Sequence, residues 1–91
     1  MNYTTTKNEI LDADHEYKLC RLETERGRAV KMGDPVSYRP NETWVIDGGK
    51  APHKPSSSGR VWIRVVNPSP DRNISVRELF PHAVGMKWQR V

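Results

Sequence analysis

The stretch RVWIRVV, residues 60–66, alternates between two kinds of side chain. Successive residues of a β-strand point to opposite faces, so one face of such a strand would be purely apolar. That face would carry Val61, Ile63 and Val65. The other face would carry Arg60, Trp62, Arg64 and Val66. The period of two predicts a strand with one side in the core, and it makes the domain largely β.

Shorter strands are predicted before this stretch. Residues 43–46, TWVI, form one that ends at the Asp-Gly-Gly of residues 47–49. Val36 and Tyr38 share a face of an earlier strand that follows Pro35. The long polar segment of residues 47–59 would then connect two strands of a hairpin.

Further short elements are predicted after residue 66. Residues 67–71, NPSPD, indicate a loop, since two prolines do not fit a sheet interior. Residues 75–80 favour a short strand or a single turn that Pro81 ends. Residues 86–90 favour a closing strand with Met86 and Trp88 facing inward.

The N-terminal part is predicted to begin with a helix over residues 7–27. Thr6 and Glu9 have the spacing of a capping box, and Gly27 suits the end of a helix. An apolar stripe recurs at steps of three and four through Ile10, Ala13, Tyr17 and Cys20. An alternative stays open, because Tyr17 and Leu19 alternate with charged residues. Residues 16–32 would then form a hairpin that turns at residues 26–28.

These elements predict one domain of the mostly β (α+β) class. Residues 1–6 would be flexible, residues 7–27 helical, and residues 33–91 a small SH3-like barrel of four or five short antiparallel strands. An OB-like barrel is the competing fold, although it generally has longer strands. A chain of 91 residues has only a thin core and no room for a cofactor domain.

Charge is distributed unevenly along the chain. Residues 1–49 contain seven Lys or Arg and nine Asp or Glu, whereas residues 50–91 contain eight and two. The C-terminal half therefore carries a net charge of +6, and the N-terminal half carries −2. This separation favours an anionic partner such as nucleic acid, although mild basicity also keeps ordinary proteins soluble.

The composition indicates a cytoplasmic protein that has no membrane partner. The lone Cys20 cannot form an internal disulfide, and the first residues lack the apolar core of a signal peptide. No run approaches the about 20 apolar residues that a membrane span requires.

The residues that catalysis or metal binding would need are not grouped in the sequence. His15, His53 and His82 are far apart, and Cys20 has no histidine near it that would mark an activated thiolate. Zinc ligands at short spacing are missing from the sequence. Gly59 is followed by Arg60 and a strand rather than by a helix, so the loop is not a nucleotide-binding phosphate loop. We therefore expect no catalytic residue, no metal and no cofactor.

A binding surface is predicted on the long loop and the strand that follows it. Lysine and arginine neutralise phosphates, hydroxyls position them, and an outward tryptophan between arginines can stack on bases. The candidate residues are Lys50, His53, Lys54, Ser57, Arg60, Trp62 and Arg64. Three alternatives stay open: a loop that is only a solvated turn, a Trp62 covered by the N-terminal helix, and a Trp62 that anchors a protein interface.

Two runs of residues resemble a known group of proteins. GGKAPHKPSSSGRVW, residues 48–62, precedes ELFP at residues 78–81 and GMKW at residues 85–88. This order resembles small proteins of bacterial conjugative elements and phages that combine GG-x-x-PHKP-x-S-x-GRV with E-F-F-P. The resemblance covers residues 33–91, with an insertion at residues 66–72. It implies an SH3-like accessory protein of a mobile element, and it implies no activity.

The function predicted from these features is that of a small binding module without enzymatic activity. Nucleic acid is the first candidate partner, through the basic loop and the Arg/Trp face of the strand. The alternative is a protein-interaction or inhibitor module of a mobile element that binds a host or element protein, with homodimerisation as one form of it.

Overall fold

A computed structural model describes residues 9–67 and 75–91, in which seven β-strands form two antiparallel sheets. The strands are β1 Leu11–Ala13, β2 Leu19–Thr24, β3 Pro35–Val36, β4 Trp44–Lys50, β5 Arg60–Val65, β6 Val76–Leu79 and β7 Met86–Arg90. The first sheet has the strand order β1-β2-β7, and the second has the order β3-β4-β5-β6. A short 3-10 helix, Pro81–Val84, lies between β6 and β7.

The two sheets share one hydrophobic core. Its buried members are Ile10, Leu22, Val30, Trp44, Ile46, Val61, Ile63, Val65 and Met86. Trp44 is completely buried, and its indole N–H donates to Oε1 of Glu42 at 3.0 Å, which satisfies the polar atom of the largest core side chain. Tyr38 packs edge-on against this indole with 5.1 Å between ring centroids.

The strand predictions for the C-terminal half are confirmed. Val61, Ile63 and Val65 of β5 are buried, as their alternation predicts. In β7, Met86 is buried and Trp88 packs against the core. Of the two alternatives for residues 75–80, the strand is correct, because β6 pairs antiparallel with β5.

Strand β4 extends further than its sequence predicts. It continues through Gly48 and Gly49 to Lys50, with a β-bulge between Ile46 and Gly48. Glycine weakens most strand interiors, and in strands it frequently marks a bulge or a close approach of another group. Both reasons apply here, since the bulge lies at this place and tryptophan rings pack on both glycines.

The predicted helix over residues 7–27 is wrong, and β-hairpins take its place. Of the expected apolar stripe, Ile10 and Cys20 are buried, but Ala13 is exposed and Tyr17 is 91% exposed. The described residues contain no α-helix, so the domain is all-β and the α+β description is incorrect.

A turn at Asp14 replaces the middle of the expected helix. Oδ1 of Asp14 accepts hydrogen bonds from the backbone amides of Glu16 and Lys18, at 2.9 and 3.0 Å. Aspartate side chains that bind nearby amides in this way compete with helix formation. Tyr17 occupies the tip in the left-handed conformation, with φ of +60°. Asp14 itself is buried.

The alternative hairpin across residues 16–32 is present in the structure. The amide of Gly27 donates to the carbonyl of Thr24, and the amide of Thr24 donates to the carbonyl of Arg28. Gly27 has a φ of +88°, a conformation that glycine adopts without steric cost. The same glycine that suits a helix end therefore forms the turn of a hairpin.

The predicted closed barrel is also wrong. In the described part of the chain the two strand ladders do not join, and only isolated bridges, such as that of Glu23 with Ala29, lie outside them. β1 has three residues and β3 has two, which is too short for ladders that would continue from one sheet into the other. The sheets instead meet through the side chains of the core.

Some predictions lie outside the described residues. These are the flexible residues 1–6, the helix cap at Thr6, the loop at residues 68–71 and most of the insertion at residues 66–72. Among the residues that are described, no helix has both the length and the apolar character needed to cross a membrane.

Candidate binding surface

The β4–β5 hairpin carries the predicted binding residues, and Trp88 contacts both ends of the loop that joins the two strands. The indole N–H of Trp88 donates to the carbonyl oxygen of Arg60 at 3.1 Å. A Cβ added to Gly49 would lie 2.8 Å from Cζ2 of Trp88, and one added to Gly59 would lie 2.5 Å from its Cδ1. Glycine is thus required at both positions because the ring of Trp88 occupies the space of a side chain.

The loop that joins β4 to β5, residues 51–59, is docked on the β1–β2 hairpin. Oδ2 of Asp12 accepts from the amide of Ala51 at 2.9 Å and lies 3.2 Å from Nε2 of His53. The amide of His15 donates to the carbonyl of Pro52 at 2.8 Å. The loop therefore has a defined position on the body of the protein, which the interpretation as a freely solvated turn does not anticipate.

Trp62 lies on the side of β5 that faces away from the core. It stands opposite Gly48 of β4 and Glu78 of β6. A Cβ on Gly48 would lie 3.1 Å from Cε3 of Trp62, so the indole packs directly on the glycine. Its N–H donates to Oε1 of Glu78 at 3.0 Å. Trp62 is half-buried by these contacts, and the expected cover by an N-terminal helix is wrong.

Arg60 links this outer face to an exposed aromatic ring. Its guanidinium carbon lies 4.2 Å from the ring centroid of Phe80, within the range of a cation–π contact. Nη1 donates to the carbonyl of Gly59 at 2.9 Å, and Nε lies 3.5 Å from Oε2 of Glu78. Phe80 is 49% exposed and stacks on the ring of His82 at 5.7 Å between centroids. The guanidinium is thereby held beside an accessible aromatic surface.

A pocket of about 430 Å³ opens between the loop and this aromatic pair, and we call it the loop pocket. It is lined by Lys50, Ala51, His53, Lys54, Ser56, Ser57, Ser58, Gly59, Arg60, Glu78 and Phe80. Five of the predicted site residues line it, and they are Lys50, His53, Lys54, Ser57 and Arg60. Trp62 and Arg64 lie on the adjoining outer face instead. The structure thus divides the predicted site into a pocket and a flat surface.

Two residues of this site were missed by the sequence reasoning. Phe80 and Glu78 belong to the ELFP run, which indicated a short strand or turn and a resemblance but no binding role. A signal for them existed, since Glu78 and Phe80 are two residues apart and fall on one face of a strand. Finding it required the pairing of β5 with β6, which places Glu78 opposite Trp62. The sequence alone does not give that register.

The cations of the site differ in how they are paired. Arg64 lies 3.5 Å from Oδ1 of Asp47, and Arg60 shares Glu78 with Trp62. The ammonium groups of Lys50 and Lys54 make no ion pair or hydrogen bond within residues 9–67 and 75–91. Both lysines are exposed. The loop pocket therefore has two cations whose charge is available to a ligand.

A second cluster of charges lies at the Asp14 turn, where the partners satisfy one another. Nε of Arg90 donates to Oδ2 of Asp14 at 2.6 Å, and the guanidinium also binds Glu16. Burial by itself would raise the pKa of Asp14. The hydrogen bonds from the Lys18 and Glu16 amides and from Arg90 outweigh it and hold that pKa well below its usual range. This carboxylate stays charged and fixes a turn.

Cys20 lies in the same cluster, 3% exposed. Its Sγ is 3.6 Å from Oδ2 of Asp14 and 3.5 Å from the carbonyl of Lys18. Burial, together with the Asp14 carboxylate, raises the pKa of this thiol above its ordinary value. The thiolate form that nucleophilic chemistry needs is thus disfavoured at this position.

No group of three or more His, Cys, Asp or Glu side chains is placed to hold a metal ion within the described ranges. Comparisons of the chain with models of protein families, with curated protein sequences and with solved structures found no significant match. The resemblance to proteins of conjugative elements and phages stays a prediction.

Proposed function

We propose that this protein is a binding module without enzymatic activity that holds single-stranded nucleic acid on the loop pocket and the adjoining outer face of β5. The observation that supports this most is the meeting, on one surface, of accessible aromatic rings and of cations that have no partner among the described residues. Lys50 and Lys54 lie in the pocket beside Arg60 and Phe80. Trp62 lies on the same face of β5, two residues from Arg60 and opposite Gly48.

The two kinds of residue have separate tasks in such an interface. Lysines neutralise phosphates and release counterions, which gives affinity for any sequence. Aromatic rings and guanidinium planes stack on unpaired bases, with about 1–3 kcal/mol for each base. A duplex hides its bases in the stack, and the described residues of the outer face include no helix or protruding ribbon to enter a groove. These features favour single strands over duplex.

The test measures binding of a fluorescent single-stranded oligonucleotide of about 12 nucleotides, in DNA and RNA forms, at low and rising salt. We expect affinity to fall with salt, and to fall strongly when Lys50→Glu and Lys54→Glu are combined. For neutral Lys50→Ala or Lys54→Ala, the slope of log K against log salt should lessen by about 0.7 for each lost phosphate contact.

The matched control reverses two other exposed cations, Arg26→Glu with Arg28→Glu, on the turn at the far end of β2. It changes the net charge by the same amount, so it separates contact from general attraction. Equal losses in the two double variants would contradict the proposed surface. Absence of binding to DNA and RNA at low salt would overturn the proposal.

A protein partner is the second candidate, and the exposed apolar residues at the sheet edge favour it. β6 is an edge strand of the second sheet among the described residues. Val76, its first residue, and Phe80, which follows its last residue, are 47% and 49% exposed. Edge strands pair readily with another chain, including a second copy of the same one. A dimer in gel filtration that is insensitive to salt, and that dissociates in the Val76→Lys variant, would favour this function.

Two further proposals concern the setting of the protein. We place it in the cytoplasm, because its one cysteine is buried as a free thiol and extracellular domains of this size generally rely on disulfides. A role as an accessory protein of a mobile element follows from the resemblance alone. Fractionation of the source cells, with the protein followed by immunoblotting, tests the cytoplasmic location.

A further inference from the structure

We infer that the loop pocket binds the terminal phosphomonoester of a nucleic-acid strand, so that the module prefers strands with a phosphorylated end. This inference rests on the proposed function and adds to it which part of the strand enters the pocket. Four observations support it, namely the charge of the pocket, its hydroxyl groups, its place at the end of the outer face, and its aromatic wall.

The charge of the pocket matches a monoester better than an internal diester. Among the described residues, its lining contains Lys50, Lys54 and Arg60 against the single carboxylate of Glu78. An internal phosphodiester carries one negative charge, whereas a phosphomonoester carries about −1.5 to −2 at neutral pH. The excess of two cations is therefore fully used only by a terminal phosphate.

The hydroxyl groups of the pocket are available as donors. Ser57 Oγ accepts from the amide of Gly59 at 3.0 Å, which leaves its own proton free to donate. Ser56 and Ser58 also line the pocket, and both are exposed. A monoester presents three terminal oxygens where a diester presents two, so it can accept from more of these hydroxyls and ammonium groups.

The pocket lies at one end of the outer face. Along β5 the outward residues are Arg64, Trp62 and then Arg60, which lines the pocket. At about 3.3 Å per residue, the row from Arg64 to Arg60 is about 13 Å long. Beyond it lies the loop of residues 51–59, which is docked on the β1–β2 hairpin. A strand lying along the row therefore meets the loop with its end.

The aromatic wall fits the terminal nucleotide that such an end carries. Phe80 lines the pocket and is 49% exposed, with the guanidinium of Arg60 held at 4.2 Å. A volume of about 430 Å³ lies within the range of small-ligand sites, about 300–1,000 Å³. Hydrogen-bond donors for a phosphate and an aromatic ring for stacking thus lie in one concavity of suitable size.

The experiment compares three labelled single strands of one sequence, about 12 nucleotides long, with a 5′-phosphate, a 3′-phosphate or two hydroxyl ends. We expect one phosphorylated strand to bind about tenfold more tightly than the hydroxyl strand, the effect of one added charge-assisted hydrogen bond. The two phosphorylated arms show which end enters the pocket.

Variants locate the effect in the pocket. Lys54→Ala should remove most of the preference for the phosphorylated end and change binding of the hydroxyl strand much less. Arg64→Ala, on the outer face, should weaken all three strands by the same factor. Because Lys54 is exposed and unpaired among the described residues, we expect Lys54→Ala to unfold at the same temperature as the parent protein.

The outcomes separate this inference from the function on which it rests. Equal affinity for all three strands would overturn the terminal-phosphate inference and leave single-strand binding intact. A preference that persists in Lys54→Ala and in Lys50→Ala would overturn it too, because the phosphate would then bind elsewhere. Absence of binding by all three strands at low salt would overturn both.

Discussion

Two clusters of charge in this small domain have opposite arrangements. At the Asp14 turn, one buried carboxylate is bound by Arg90 and by two backbone amides, and Arg90 also binds Glu16. In the loop pocket, Lys50 and Lys54 have no such partner within the described residues. Both clusters lie on hairpins, and both are rich in charge.

The difference teaches how to separate charges that hold a fold from charges that serve a ligand. A charge whose hydrogen bonds are already complete gains little from a ligand, and its loss damages the fold. An exposed cation without a partner contributes little to stability and keeps its field for an anion. Composition alone does not distinguish the two cases, since the Asp14 hairpin also carries lysine and arginine.

The largest expected effect concerns the glycine that joins the loop pocket to the core. Gly59→Ala places a Cβ 2.5 Å from Cδ1 of Trp88 at a residue whose φ is +84°. The left-handed conformation costs about 1–2 kcal/mol and the overpacking about 1–3 kcal/mol more. We expect the free energy of unfolding in urea to fall by about 3 kcal/mol or more.

Gly33→Ala is the matched control for this effect. Gly33 has a φ of +86°, and an added Cβ would meet nothing within 4 Å. It should therefore show the backbone cost alone, about 1–2 kcal/mol. Equal destabilisation by the two substitutions would show that Trp88 does not constrain Gly59, and that the loop is less firmly joined to the core than its contacts indicate.

The second prediction concerns the Asp14 turn and tests how the stability of the protein depends on pH. The pKa of Asp14 is lowered in the folded protein, so the unfolded chain binds the proton more tightly. The stability that Asp14 provides is complete above its unfolded pKa of about 4 and is lost as pH falls below that value. Asp14→Asn should lower the unfolding temperature at neutral pH and flatten its decline below about pH 4.

Thermal unfolding followed by circular dichroism from neutral pH to about pH 2 measures this difference. Asp34→Asn serves as the control, because Asp34 also caps a turn through the amide of Lys31 but lies near the surface and has no arginine partner in the described residues. An identical acid decline in Asp14→Asn and the parent protein would contradict the structural role given to this carboxylate.

The same contrast shows what the sequence reveals and what it leaves open. Period-two alternation correctly places Val61, Ile63 and Val65 in the core, because a buried strand face imposes that pattern. The steps of three and four from Ile10 to Cys20 mimic a helix. The backbone bonds of Asp14 override them, and a side chain that ends a helix looks in sequence like one on its surface.

Gly27 illustrates a second limit on the fold. A glycine with positive φ ends a helix and turns a hairpin equally well, so the residue permits both interpretations. For the candidate site, the loop residues are predicted from composition, whereas Phe80 and Glu78 depend on the register between β5 and β6. Register is set by long-range packing, which no local pattern contains.

A substitution at Glu78 has the smallest expected effect, and it leaves more of the positive charge of the loop pocket unpaired. Glu78 is the only carboxylate among the described residues that line the pocket, and it offsets part of the charge of Arg60. Glu78→Gln keeps an oxygen that can accept from the indole N–H of Trp62 and removes the negative charge. Binding of single strands should then tighten about threefold, the effect of one exposed charge pair, and depend more steeply on salt.

Glu25→Gln, on the exposed turn at the far end of β2, changes the net charge equally and should leave the affinity almost unchanged. If Glu78→Gln instead weakens binding, the carboxylate acts mainly by orienting Trp62 and Arg60, and the pocket would belong with the Asp14 turn as a cluster whose charges satisfy one another.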